Sequence, residues 1–237
     1  MKATNWEFTN RATVFGLILG CTFPLYFLDP QNSTAYLAHW IEFRTHLNAD
    51  LIARVVFALA ALMLGMAALI RTWASSYLNA GVVYAAEVKS DSLVADGPYR
   101  LVRNPLYFAN VLMAIALGSM MSRVGCLVAV VAMIVFSYRL ILREEDELQA
   151  SQGQRYQDYR KAVPRLWPAV SPRIASSGRS ANWAEGFKAE SWYWGMALAV
   201  AAFAVSLKLW LFFVILGASL GWFWVSSAML EKKKSGT

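Results

Sequence analysis

The chain has 237 residues, 58% of them hydrophobic and only 16% charged, where a soluble domain has about a quarter charged. Mean hydropathy is +0.41 and the formal net charge is +7, which excludes both an ordinary water-soluble domain and a disordered polar chain. The basic residues are spread over connecting segments with no nucleic-acid motif beside them, so a nucleic-acid-binding module is excluded too.

A bilayer core takes about 20 mostly apolar residues per helix, roughly 17 to 25. Six stretches meet or approach that length: 12–28, 51–70, 106–121, 124–142, 191–207 and 209–228. The expected fold is all-α, a polytopic transmembrane bundle of about six spans paired as hairpins. Pro24 in the first stretch removes a backbone hydrogen bond, so a kink or an early end is expected there. Residues 29–50 are polar and aromatic and are expected to lie along the outer interface. They hold both histidines, His39 and His46, without cysteines or clustered carboxylates, and no metal site is expected. Cys21 and Cys126 fall within spans and suit buried small hydrophobes better than a disulfide.

After the second span, residues 71–105 form a segment too long for a plain connection. The third and fourth spans are joined around Ser122 and Arg123, which makes them antiparallel neighbours. The fourth continues into "REEDELQASQGQRYQDYRKA", where Gly153 is placed to end the helix, and Pro164, Pro168 and Pro172 forbid helix beyond it. Residues 173–190 are expected to be a linker. The last hairpin, with "SWYWG" and "GWFWVSS", suits interfacial anchoring by tryptophan. The expected division is residues 1–70 for N-terminal helices and outer loop, 71–172 for a central core, and 173–237 for linker and added hairpin.

Lysine and arginine placement predicts the orientation. Lys2, Arg11, Arg71, Lys89, Arg100, Arg103, the bases from Arg143 to Lys188, and Lys232 to Lys234 share one side if both termini are cytoplasmic. Arg44, Arg123 and Lys208 remain outside, with Arg54 just inside the second span. No charge sits in the central turns of the spans, which argues against an ion pathway. No phosphate-binding glycine loop is present, and no credible nucleophile–histidine pair exists with both histidines on the outer side. What remains is one cytoplasmic surface made by residues 91–107 and 139–168. The hairpin returning at Arg123 must bring Tyr99, Arg100, Arg103, Asn104 and Tyr107 opposite Glu144 and Glu145 at a mouth between cytosol and lipid. Taken singly, each feature has a plain reading: arginines at a helix end, an i,i+4 pair of Arg143 with Glu147, and Tyr156 and Tyr159 as interface anchors.

Together they are more specific. "GPYRLVRNPLYFA", "EEDEL", "GQRYQDY" and "VPRLWP" occur in that order. This series resembles the isoprenylcysteine carboxyl methyltransferase and phospholipid methyltransferase superfamily of membrane enzymes, whose pattern runs G-P-Y-R-x-x-R-H-P-x-Y-x-G, then E-E-x-x-L, G-x-x-Y-x-x-Y and V-P-R-x-x-P. "RTWASSYL" at 71–78 also resembles the family, so the likeness covers about 70 to 168. Asn104 stands where the family has histidine, and Ala109 where it has glycine. The resemblance implies S-adenosylmethionine as methyl donor in a cytoplasmic pocket. Its contacts would fall on Asp91, Ser92, Leu93, Val94, Tyr99, Arg103, Asn104, Pro105, Leu106 and Tyr107, with Glu144 or Glu145. An arginine beside the acceptor is implied as well, for which Arg139 and Arg143 are candidates. An amine acceptor would have to lose a proton, and Glu144, Glu145 or Tyr107 could assist. The implied partners are a lipophilic or prenylated small-molecule acceptor and membrane lipids. The isoprenylcysteine-type carboxylate is most like the family, with a phospholipid amine or small thiol as alternatives. A membrane enone- or sterol-type reductase and a non-catalytic lipid-binding relative are further alternatives.

Overall fold

A computed structural model describes residues 1–78 and 94–235. Among these residues the regular structure is helical. Ten α-helices follow in order: α1 Asn5–Thr9, α2 Arg11–Thr22, α3 Ser33–Thr45, α4 Ala49–Ser76, α5 Pro105–Gly118, α6 Arg123–Gln152, α7 Gln154–Ala162, α8 Trp183–Ala189, α9 Ser191–Ser206 and α10 Leu209–Ser235.

The local signals account for most of the boundaries. α2 stops at Thr22 and tightens into a 3-10 turn, Phe23–Phe27, with Pro24 in its first turn. Asn32, Asn48 and Ser122 cap α3, α4 and α6, each accepting a hydrogen bond from a backbone amide in the first turn. Pro105 opens α5, where its missing N–H costs nothing. α6 ends at Gly153, whose φ of 55° is costly for residues with a side chain. Residues 163–182 are not helical, as their prolines require. The expected linker 173–190, however, contains α8.

α4 and α6 are long and apolar enough to cross a membrane, and shorter apolar helices run over Arg11–Phe27, Pro105–Gly118, Ser191–Ser206 and Leu209–Trp222. One face of α4 leaves Leu51, Val55, Leu59, Leu62, Met66 and Leu69 exposed. A continuous apolar stripe of that kind on a long helix suits lipid rather than water. Cys21 is exposed on α2 instead of buried.

α5 and α6 are packed neighbours, α4 packs on α5 and α9, α10 packs on α9, and α2 packs on α6. One core cluster joins Leu64 and Ala68 of α4, Met113 and Ala114 of α5, Met133 of α6, and Met196, Val200 and Phe212 of the last hairpin. The segments 1–70, 71–172 and 173–237 therefore share one core. At the end of the bundle holding the α5–α6 turn, Asp29 pairs with Arg123 at 2.9 Å, and Ser33, Thr34 and Tyr26 donate hydrogen bonds to carbonyls of residues 118–120. At the opposite end, Glu7 of α1 pairs with Arg139 at 2.7 Å and Lys2 with Asp146.

Candidate functional site

The turn at 97–100 begins with Gly97 at φ 56°, and a side chain there would collide with the ring of Tyr77 at the end of α4. This tight turn sends Tyr99 inward and aims Arg100 and Arg103 at the segment that follows α7. Arg100 Nε donates to the Ile174 carbonyl at 2.9 Å. Arg103 donates to Glu145 at 2.7 Å and to the carbonyls of Arg160 and Val163 at 2.7 and 2.6 Å. Glu145 also receives Arg165 at 2.9 Å, and Asn104 donates to the Arg165 carbonyl at 3.0 Å. The second arginine of "GPYRLVR", the second glutamate of "EEDEL" and the arginine of "VPR" thus form one buried ionic knot.

A strap closes over this knot. The Ala169 and Arg173 amides donate to the carbonyls of Leu101 and Arg100, both at 2.9 Å. Beyond them Ser176 and Ser177 donate to the Asp96 carboxylate through their hydroxyls, and the Ser177 and Arg179 amides donate to it as well. Burial alone would raise the pKa of Asp96, but these hydrogen bonds prevail and hold it at about 2.

Behind the knot lies a cavity of about 810 Å³. Its polar end is walled by Tyr99, Asn104, Tyr107, Glu144, Tyr156 and Tyr159. Tyr107 donates its hydroxyl to Glu144 at 2.6 Å, and Tyr159 donates to the Tyr99 carbonyl at 2.8 Å. Burial pushes Tyr156 up to about 12 and pushes Tyr99 and Tyr159 up as well, so these phenols stay neutral. The cavity's other end is apolar, made by Phe15, Leu19 and Phe23 of the N-terminal segment, Met113 of α5, and Phe212 and Leu216 of α10. Neutral aromatic faces beside a carboxylate suit a cationic group of modest size, and the apolar end suits a chain of lipid character.

Between the two ends is a second buried network. Arg71 of α4 pairs with Glu190 at 2.5 Å, and Ser75 donates to the same carboxylate at 2.6 Å. Arg71 and Tyr193 both donate to Asn110 Oδ1, at 2.8 and 2.6 Å, and the Arg71 guanidinium lies 4.3 Å from the Tyr193 ring centre.

The expected site residues therefore divide. Val94, Tyr99, Arg103, Asn104, Pro105, Leu106, Tyr107 and Glu144 line the cavity. Asp91, Ser92 and Leu93 lie outside the described residues. Glu145 does not line the cavity, because both its oxygens are taken by arginines. Arg139 and Arg143, the expected acceptor arginines, are also absent from its wall. Arg139 is paired with Glu7, and Arg143 with Glu147 at 2.7 Å, the plain i,i+4 pair. Tyr156 and Tyr159 are buried in the wall and are not interface anchors. Arg11, Arg71, Asn110 and Tyr193 line the cavity unanticipated. Asn110 carried a signal, as a polar residue inside an apolar span. Glu190, at the mouth of another span, carried the same one.

The family model described as phospholipid methyltransferase matches residues 55–155, the stretch that supplies α4, α5, α6 and most of the polar wall. The cobalt-zinc-cadmium resistance protein CzcN of Cupriavidus metallidurans is 26% identical over 167 residues, covering 63% of this chain and 77% of that protein. The nickel-cobalt-cadmium resistance protein NccN of Alcaligenes xylosoxydans xylosoxydans is 30% identical over 111 residues, 46% of this chain and 49% of that protein, so the match spans about half of its length. No solved structure matches.

Proposed function

We propose, from the premise that residues 55–155 belong to the phospholipid methyltransferase family, that the protein is an integral membrane enzyme. It moves a methyl group from S-adenosylmethionine to a lipophilic acceptor. The observation that carries this reading is the single cavity with a tyrosine- and glutamate-lined end and a phenylalanine- and leucine-lined end. We read the shorter apolar helices as further membrane segments, with about six spans, cytoplasmic termini and the polar end of the cavity on the cytoplasmic side. That orientation admits the donor from water and the acceptor from lipid.

The wall fits the donor. Glu144 and the faces of Tyr99, Tyr156 and Tyr159 would hold its positive groups, and Asn104 and the backbone at the start of α5 would hold its polar ones. When bound, the donor supplies an electrophilic methyl group on a cationic sulfur. The chain's part is to position, to exclude water and to tune charge, which suffices for an in-line displacement at carbon. Tyr107 orients the Glu144 carboxylate through its hydroxyl. Arg103, Glu145 and Arg165 fix the loop from which Tyr99 and Asn104 project. An acceptor carboxylate or thiolate needs no base. For an amine acceptor, Glu144 is the carboxylate on the cavity wall that could take the proton.

The two relatives are named as metal-resistance proteins. A role of that kind for this chain would run through methylation of a membrane or membrane-bound molecule.

Calorimetry of S-adenosylmethionine against the detergent-purified protein tests the reading. Micromolar binding is expected, weakened about tenfold or more in Glu144→Gln through loss of a charge-assisted contact. Absence of binding to folded wild-type protein would sink it.

A further inference from the structure

Asn110 lies on α5 one helical turn beyond Tyr107 and on the same face, which Met113 and Leu117 continue along the cavity wall. Only 3% of it is exposed. Chemistry fixes the orientation of its amide. An arginine can only donate, so the atom that Arg71 Nη1 meets at 2.8 Å is the carboxamide oxygen. The Tyr193 hydroxyl donates to the same oxygen at 2.6 Å. Arg71 is itself held, because Glu190 accepts from its Nε and Nη2 at 2.5 and 3.2 Å, and Ser75 donates to that carboxylate at 2.6 Å. Groups from α4 and from the start of α9 therefore lock the α5 amide with its oxygen in the network and its Nδ2 turned away from it. Among the described residues no group accepts a hydrogen bond from that Nδ2, and protein does not seal it in. Since Asn110 lines the cavity, its N–H donors are offered there. A polar donor left unpaired in an apolar interior is uncommon in a native protein, and its complement is a lone pair on the cavity's occupant. The surroundings do not call for an anion. Glu190 balances Arg71, and Arg11 and Glu144, both on the wall at the polar end, offset each other.

We propose that Asn110 reads a neutral oxygen, a carbonyl or a hydroxyl, on the acceptor, and that Arg71, Glu190 and Tyr193 are positioning residues that hold its amide for that contact. The acceptor class is then an amphiphile with an uncharged oxygen one helical turn deeper than Glu144, about 4.5 Å along the axis of α5. Its apolar chain runs on past Met113 into the end walled by Phe23 and Phe212. The word acceptor rests on the methyltransferase reading, whereas the oxygen site is drawn from the fixed amide and stands without it. Two of the four groups that build the site, Glu190 and Tyr193, come from beyond residues 55–155, so the last hairpin takes part in selecting the occupant.

Equilibrium binding of dodecane, dodecanol, methyl decyl ketone and dodecanoate to the full chain in nanodiscs, referenced to empty nanodiscs, tests this. The probes share one carbon count and differ in the oxygen they carry. The wild type is expected to bind the ketone and the alcohol about fivefold or more tightly than dodecane, the scale of one neutral hydrogen bond. Asn110→Asp keeps an oxygen for Arg71 and Tyr193 and nearly the same shape, so the network that holds the helices together is retained. It should lose the ketone preference, because a ketone can only accept, and keep the alcohol preference, because a hydroxyl can donate to the new carboxylate. A purely structural role for Asn110 would not separate the two probes. Asn110→Leu should bind the ketone and the alcohol no better than dodecane. The proposal is overturned if the wild type shows no preference for the oxygen probes or if Asn110→Asp keeps the ketone preference. It is also overturned if dodecanoate binds the wild type more tightly than both neutral probes, since the site would then read charge. A ketone preference lost in Asn110→Asp, in a wild type that binds no S-adenosylmethionine, would leave the oxygen site standing and remove the enzyme reading.

Discussion

Two adjacent glutamates, Glu144 and Glu145, differ more in role than any spacing rule would suggest. Glu145 is 4% exposed and holds Arg103 and Arg165, whereas Glu144 faces the cavity through Tyr107. Removing one partner of a buried pair leaves the other charged and desolvated, a cost of about 3–5 kcal/mol. Glu145→Gln is therefore expected to lower the thermal unfolding midpoint strongly. Glu144→Gln should unfold near the wild-type temperature and instead weaken binding of the proposed donor, S-adenosylmethionine, about tenfold or more. Equal midpoints for Glu145→Gln and wild type would show that the knot contributes little. Asn104 is explained at this scale too. Its amide donates to the Arg165 carbonyl, a bond that an imidazole N–H could also make, so the departure from the family histidine leaves the local connection intact.

At the scale of elements, the strap over 169–179 ties the turn at 97–100 to the region before α8. Its far end depends on Asp96. Because the folded pKa of about 2 lies below the usual value near 3.9, the carboxylate's contribution is complete above pH of about 4 and is lost as pH falls through about 2. Hydrogen-exchange protection of the Ser177 and Arg179 amides should drop across that window in the wild type. It should be low at neutral pH in Asp96→Ala. Protection that does not change with pH would mean the strap is held by its other backbone bonds. α6 shows a related economy of sequence: one helix of 30 residues is apolar through the bundle and then carries Glu144, Glu145 and Glu147 in its C-terminal turns, so the same helix brings Glu144 to the cavity and Glu145 to the ionic knot.

Over the whole molecule, the last hairpin is more than an anchor. α9 lies against α4, and Glu190 at its start is fully buried against Arg71. Glu190→Gln is expected to destabilise the protein by about 3 kcal/mol or more, since the Arg71 charge would stay buried without its carboxylate. Glu185→Gln, on the exposed face of α8, should stay within about 0.5 kcal/mol of wild type. Denaturation of both variants in the same detergent compares them directly. A Glu190 variant as stable as the Glu185 variant would make the hairpin peripheral to the fold.

The sequence by itself determined the helical class, the apolar stretches, the ends of α2 and α6, and the α5–α6 hairpin. Each is governed by contacts within a few residues or by the thickness of a bilayer: proline at position 24, glycine at position 153, and a polar break at Ser122. It also brought the first motif opposite the two glutamates, because a helical hairpin returns its ends to one place. The tertiary structure alone decided which side chains face the cavity. Arg143 and Glu144 are neighbours in sequence, yet about 100° of helical rotation separates them, so one pairs with Glu147 and the other meets Tyr107. Arg11 was legible only as one of the bases on the cytoplasmic side and Tyr193 only as a neighbour of the anchoring tryptophans, since what makes them part of the wall is packing between segments far apart in the chain. That packing depends on how helix faces fit one another, and no local pattern in the chain encodes it.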